Sequence, residues 1–123
     1  TIDNEVNRLK GLDQFTVHWN SDGVEPVLDK NKRVMVYRIF QEMINNMLKH
    51  ARASNVYIDL QGKDRFSLTV KDDGQGFDMN EAMNKSTSSG LKNILKRASL
   101  AELNCNIDAA VGKGCTFTLK QIG

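Results

Sequence analysis

Two short runs in the middle of the chain restrict its fold more than any other feature. Val56, Ile58 and Leu60 alternate with polar neighbours, as do Phe66, Leu68 and Val70, and only a polar turn over residues 61 to 64 separates the runs. Alternation of period two marks a strand with one wet and one dry face, and a tight turn joins such strands as an antiparallel hairpin. The dry face of a hairpin needs a cover. Residues 31 to 51 supply one: at 3.6 residues per turn, Val36, Phe40, Met43, Ile44, Met47 and Leu48 fall in one stripe, with Glu42, Asn46 and Lys49 opposite and His50 at the edge of that polar group. A second helix is expected over 90 to 102.

Further strands are expected at Phe15, Val17 and Trp19, which run into a Ser-Asp-Gly turn, and at 105 to 111 and 115 to 120, joined through Val111-Gly112-Lys113-Gly114. The whole reads as an α+β two-layer sandwich, with helices on one face of a mixed, mostly antiparallel sheet. With Gly112 and Lys113 as the turn, Cys105 would lie opposite Lys120 and Cys115 opposite Ala110, so a disulfide between the two cysteines is not expected. Ile2, Val6 and Leu9 follow helical spacing up to Gly11. Residues 1 to 11 read either as the end of a linker helix from a preceding dimerisation domain or as a short surface helix, and 12 to 123 as the domain proper.

A chain of 123 residues is the length of one domain and buries roughly two thirds of the surface its unfolded form exposes. Its 17 basic residues are interspersed with 15 acidic ones for a formal charge of +2, which gives no footprint for nucleic acid. No apolar run approaches the roughly 20 residues that cross a bilayer. Two cysteines without zinc-site spacing fit a reducing, cytoplasmic setting.

Chemistry could reside at three places. The polar face of the 31 to 51 helix is one, although polar residues opposite an apolar stripe are also what any solvated helix presents. The second is Asp72, whose strand parity with Phe66, Leu68 and Val70 turns its carboxylate inward, a placement costing several kcal/mol without a hydrogen-bonding partner. "DGQGF", residues 73 to 77, follows at once, and its glycines permit positive φ and close approach of another body. The third is "SSGLKNILKRA", residues 88 to 98, where a helix start preceded by Ser86, Thr87, Ser88 and Ser89 offers free N–H groups to an anion or to a capping side chain.

In their order, Glu42-x-x-x-Asn46-x-x-Lys49-His50, Asp72-x-Gly74-x-Gly76, Gly90-Leu91 and Gly112-x-Gly114 resemble the ATP-binding domain of sensor histidine kinases. This is the Bergerat fold shared with type II topoisomerases, ninety-kilodalton heat-shock chaperones and mismatch-repair ATPases. The likeness spans about residues 12 to 121. "FQEMINNMLKHA" and the absence of a recognisable phenylalanine box are most similar to the nitrate-sensing and lipid-fluidity-sensing type.

The resemblance implies ATP and Mg²⁺ as cofactors. Asn46 matches the amide that holds the metal. Glu42 matches the acid beside the γ-phosphate, and Lys49 and His50 match positions near the phosphates or ribose. Asp72 matches the acceptor for the adenine amino group, Gly74 and Gly76 the close backbone approach, and Ser89, Gly90 and Leu91 the helix start at the phosphates, after a short lid from Met79 to Ser89. It further implies transfer of the γ-phosphoryl group to a histidine on the parent's own helical dimerisation domain, a homodimeric parent, and a cognate response regulator as partner.

Three departures accompany it. Ser88 stands where the family begins a Gly-x-Gly, and Cys115 replaces a threonine that binds adenine through water, which predicts weaker ATP affinity. His18 and His50 are the only histidines, and neither sits in an acceptor pattern, so self-phosphorylation of this chain is not expected. Alternative readings are a degenerate nucleotide-binding or docking module, a serine kinase of the anti-sigma type, and an α+β domain with no ligand.

Overall fold

The computed structural model describes residues 2–12, 14–50, 52–84 and 89–122, and of residues 3, 50, 83, 84 and 89 the backbone alone. Elements follow the order α1 (Ile2–Lys10), β1 (Thr16–Ser21), α2 (Lys30–His50), β2 (Asn55–Gln61), β3 (Ser67–Asp72), α3 (Met79–Asn84), α4 (Ser89–Leu100), β4 (Leu103–Ala109) and β5 (Cys115–Gln121). The five strands form one mixed sheet in the order β1-β2-β3-β5-β4. Strands β1 and β2 run parallel, which demands a long crossover, and α2 supplies it. Every other neighbour pair is antiparallel.

One face of the sheet is dry. Val56, Ile58, Leu68, Val70, Phe117, Leu119 and Leu103 are buried there and meet Val36, Ile39, Phe40, Met43, Ile44 and Met47 of α2 and Leu91, Ile94 and Ala98 of α4 in one core. Tyr57, Lys71, Asn106 and Lys120 alternate with them and are exposed on the other face. This is the two-layer α+β sandwich that the alternation predicts.

The helix starts have local causes. Asp29 caps α2, its Oδ1 accepting from the Lys32 amide at 2.8 Å, and Asp78 does the same for α3 through the Glu81 amide at 2.9 Å. The expected lid loop therefore contains a short helix, foreshadowed by Asp78-Met79-Asn80-Glu81, which has the spacing of a capping box. Helix α1 is no surface appendage: Val6 and Leu9 are buried within the common core.

The last hairpin differs from expectation. Cys105 faces Leu119, and Ala109 faces Cys115, a one-residue shift from pairs with Lys120 and Ala110. Residues 110 to 114 form the connection, closed by a hydrogen bond from the Lys113 amide to the Ala110 carbonyl at 3.0 Å. Physically the shift is required: both strands bury their odd-numbered residues, and cross-strand partners share a face. The cysteines are free, as the expectation against a disulfide had it.

Candidate functional site

Asp72 ends β3 between Val56 of β2 and Cys115 of β5. At 3% exposure it is the buried charged side chain among the described residues. Its Oδ1 accepts one hydrogen bond, 2.9 Å, from the Gly74 amide. Burial pushes the carboxyl above its ordinary range, against the pull of the Gly74 and Cys115 amides, and the neighbouring Asp73 charge adds to the rise.

Asp73 shows the opposite chemistry one residue later. It points to the wet face, where Oδ1 accepts from the amides of Ser54 and Asn55 at 2.8 Å each and Oδ2 from the Asn55 side chain at 2.9 Å. The Asn55 side chain foremost, with these amides, holds its carboxyl below the usual range. Asp73 is thus occupied in joining the β3 end to the segment before β2. Asp72 instead lies on the buried side of the sheet.

Cys115 is buried beside it, and desolvation, helped by the charges of Asp72 and Asp108, pushes its thiol up to about 12. The thiol is therefore neutral and a weak hydrogen-bonding group at physiological pH. Cys105 is raised by burial to about 11.

Gly74 and Gly76 shape the turn after β3. Gly76 has φ +62°, and a Cβ there would lie 2.0 Å from the Ala110 carbonyl oxygen and 2.7 Å from that of Gly114. Only a glycine allows this contact. A hydrogen bond from the Gly112 amide to the Gln75 carbonyl, 2.6 Å, fastens the same turn to the β4–β5 connection. The glycines of the second and fourth motifs therefore meet in space.

On α2, Glu42 and Asn46 are half-buried and Lys49 is exposed. His50 ends the helix, with its side chain outside the description. Glu42 meets α4 directly. Its Oε1 lies 3.5 Å from Arg97 Nη1, and its Oε2 lies 3.5 Å from where a Cβ on Gly90 would stand. Leu91 is buried in the core and anchors the first turn of α4; Ser89 opens that helix, and Ser88 lies outside the described residues.

The predicted residues thus form two groups. Asp72, Gly74 and Cys115 sit together at the end of the sheet, joined by register and hydrogen bonding, with Gly76 in the same turn. Glu42 and Gly90 sit together where α2 meets α4. Arg97 was missed by sequence reasoning; its signal is helical spacing, since it lies two turns beyond Gly90 on the same side of α4.

An open cleft of about 1090 Å³ runs between α1, the segment around Pro26 and Leu28, and α2. It reaches Glu42 and Arg97 but neither Asp72 nor Asn46. Among the described residues no group of three or more His, Cys, Asp or Glu could hold a metal ion. Asn46 offers one neutral amide oxygen, which could hold a hard cation such as Mg²⁺ only together with further oxygen donors.

Residues 31–122 match the model of the histidine kinase-, DNA gyrase B- and HSP90-like ATPase family. The chain is 35% identical over 89 residues to the signal transduction histidine-protein kinase/phosphatase DegS of Bacillus subtilis, covering 71% of this chain and 23% of that protein. It is 33% identical over 101 residues to the sensor histidine kinase ComP of the same organism, covering 81% and 13%. The chain therefore spans less than a quarter of these relatives' lengths. Among solved structures, Acinetobacter baumannii histidine kinase AdeS matches with a TM-score of 0.75 at 17% identity, over 98% of this chain and 62% of that one. The Erythrobacter litoralis EL346 blue-light activated histidine kinase matches with 0.71 at 18% identity, over 98% and 39%. With three quarters of the chain inside the family model and the five-stranded sheet shared with these neighbours, the chain belongs to the histidine kinase-, DNA gyrase B- and HSP90-like ATPase family.

Proposed function

We propose that this chain is the catalytic module of a sensor histidine kinase, which binds Mg-ATP and presents its γ-phosphoryl group to a histidine on a separate dimerisation domain. The observation that carries the reading is Asp72. Burying a carboxylate costs several kcal/mol, and an adenine amino group is a further partner that would recover part of it. Asp72 would select adenine through that bond, and Cys115, in place of a stronger hydrogen-bonding side chain, would contribute little. Gly74 and Gly76 would let the backbone lie close to the base.

Asn46 would hold Mg²⁺ through its amide oxygen, with Lys49 and His50 near the phosphates or ribose. When bound, Mg²⁺ would neutralise phosphate charge and fix its geometry. Ser89, Gly90 and Leu91 would bring the α4 amides to the phosphates. Glu42, facing that helix start, would orient the acceptor imidazole or accept its proton as the nitrogen attacks.

The relatives' names extend the proposal to two-component signalling: a homodimeric parent whose helical domain leads into α1, a response regulator downstream, and a cytoplasmic site of action. No described helix is long and apolar enough to cross a membrane. His18 is unsuited as an acceptor, since it stacks on Tyr57 with centroids 4.6 Å apart and hydrogen-bonds Asn55 at 2.9 Å on the wet face of the sheet.

The test is transfer of label from γ-labelled ATP, with Mg²⁺, to the parent's acceptor domain supplied separately. Acid-labile phosphohistidine on that domain, and none on this chain alone, is the expected outcome. Nucleotide binding without transfer would favour the degenerate docking module, for which the thiol of Cys115 beside Asp72 is the supporting feature.

A further inference from the structure

The kinase reading gives Glu42 a role but leaves open what aims it. Its carboxylate stands half-buried on α2, and a glutamate side chain has three free torsions, so aim must come from neighbours. The described structure supplies them from one element, α4. Arg97 Nη1 lies 3.5 Å from Oε1, and the two side chains are only partly exposed, at 31% and 27%. On the other oxygen, a Cβ on Gly90 would stand 3.5 Å from Oε2, ordinary van der Waals contact, so the start of α4 lies beside the carboxylate. Gly90 and Arg97 are seven residues apart, two helical turns, so they flank the carboxylate from the same side of α4.

We propose that Arg97 is a positioning residue for phosphoryl transfer: its guanidinium holds the Glu42 carboxylate against the start of α4, aimed at the acceptor histidine. The inference rests on the kinase reading for the consequence, although the pairing itself does not. Arginine suits this task because its charge is permanent and its planar fork fixes direction. The pair contributes little to stability, as partly exposed ion pairs do. Its value is the orientation of a group whose productive geometry tolerates little error.

The experiment compares wild type, Arg97→Gln, Arg97→Lys, Glu42→Gln and the double variant Glu42→Gln/Arg97→Gln. It measures ATP affinity, phosphoryl transfer to the separately supplied acceptor domain, and thermal midpoint. Expected for Arg97→Gln is a fall in transfer rate at saturating ATP of about tenfold, the scale of a modest loss of orientation, with ATP affinity unchanged within about twofold. Arg97→Lys should recover part of that loss, through its charge but without the planar fork, and Arg97→Gln should cost nothing further in the Glu42→Gln background. Wild-type transfer by Arg97→Gln would overturn the proposal, and so would equal losses in affinity and rate or a lysine variant no better than glutamine. If wild type itself transfers nothing, the kinase reading fails and the proposal falls with it.

Discussion

Adjacent aspartates with opposite behaviour define the site at the scale of single residues. Asp73 is exposed and has its oxygens satisfied by Ser54 and Asn55, whereas Asp72 is buried beside the backbone amides of Gly74 and Cys115. Asp72→Asn should weaken ATP binding roughly 10- to 150-fold, the worth of a charged hydrogen bond of about 1.5–3 kcal/mol, as read by nucleotide titration. A pH dependence accompanies it. Burial raises the Asp72 carboxyl in the folded chain, so folding favours its neutral form: that stabilisation is complete below the unfolded pKa and is lost as pH rises through the folded one. Without nucleotide, Asp72→Asn should therefore gain stability relative to wild type as pH rises through this window, measured by urea unfolding at a series of pH values. Cys115→Thr should tighten ATP binding, since a hydroxyl bonds water better than a neutral thiol does; unchanged affinity would count against a role for position 115. Asp72 was legible in the sequence because period-two alternation fixes which face a strand residue takes. The packing of Gly76 was not, because the atoms that require it, the carbonyls of Ala110 and Gly114, come from a distant turn.

Among the elements, long helices and alternating strands were legible because each repeats its period several times. The hairpin β4–β5 shows where a local signal misleads. Glycines in Val111-Gly112-Lys113-Gly114 suggested a two-residue turn, but a turn-based register would have set the odd-numbered dry residues of one strand against the even-numbered wet residues of the other. Hydrophobic pattern outweighs turn preference when a face is buried. Helix α3 was missed because six residues carry less than two turns of periodicity, although its capping box was present. The link between the turn after β3 and the β4–β5 connection can be tested. Gly76→Ala places a Cβ 2.0 Å from backbone oxygen at φ +62° and should destabilise the domain by at least about 2 kcal/mol, seen as a lower urea midpoint. A substitution without effect would show that the two segments separate freely.

For the whole molecule, α1 joins the domain through Val6 and Leu9, which lie in the same core as α2 and the sheet. Leu9→Ala should cost about 2–5 kcal/mol, the range for truncating a buried leucine, whereas a helix that merely links domains would tolerate it. Such coupling would make α1 a stiff joint between the ATP-binding domain and the helices proposed to precede it. The central claim is that the buried carboxylate of Asp72 exists to bind adenine, and it is tested most directly by thermal unfolding with and without ADP and Mg²⁺, on wild type beside Asp72→Asn. At about a hundred times the wild-type dissociation constant, ligand should add roughly 2.7 kcal/mol to the wild type and raise its midpoint by several degrees, with a clearly smaller rise, about 0.3–1.4 kcal/mol, in Asp72→Asn at the same concentration. No shift in the wild type, or an equal shift in both proteins, would contradict it.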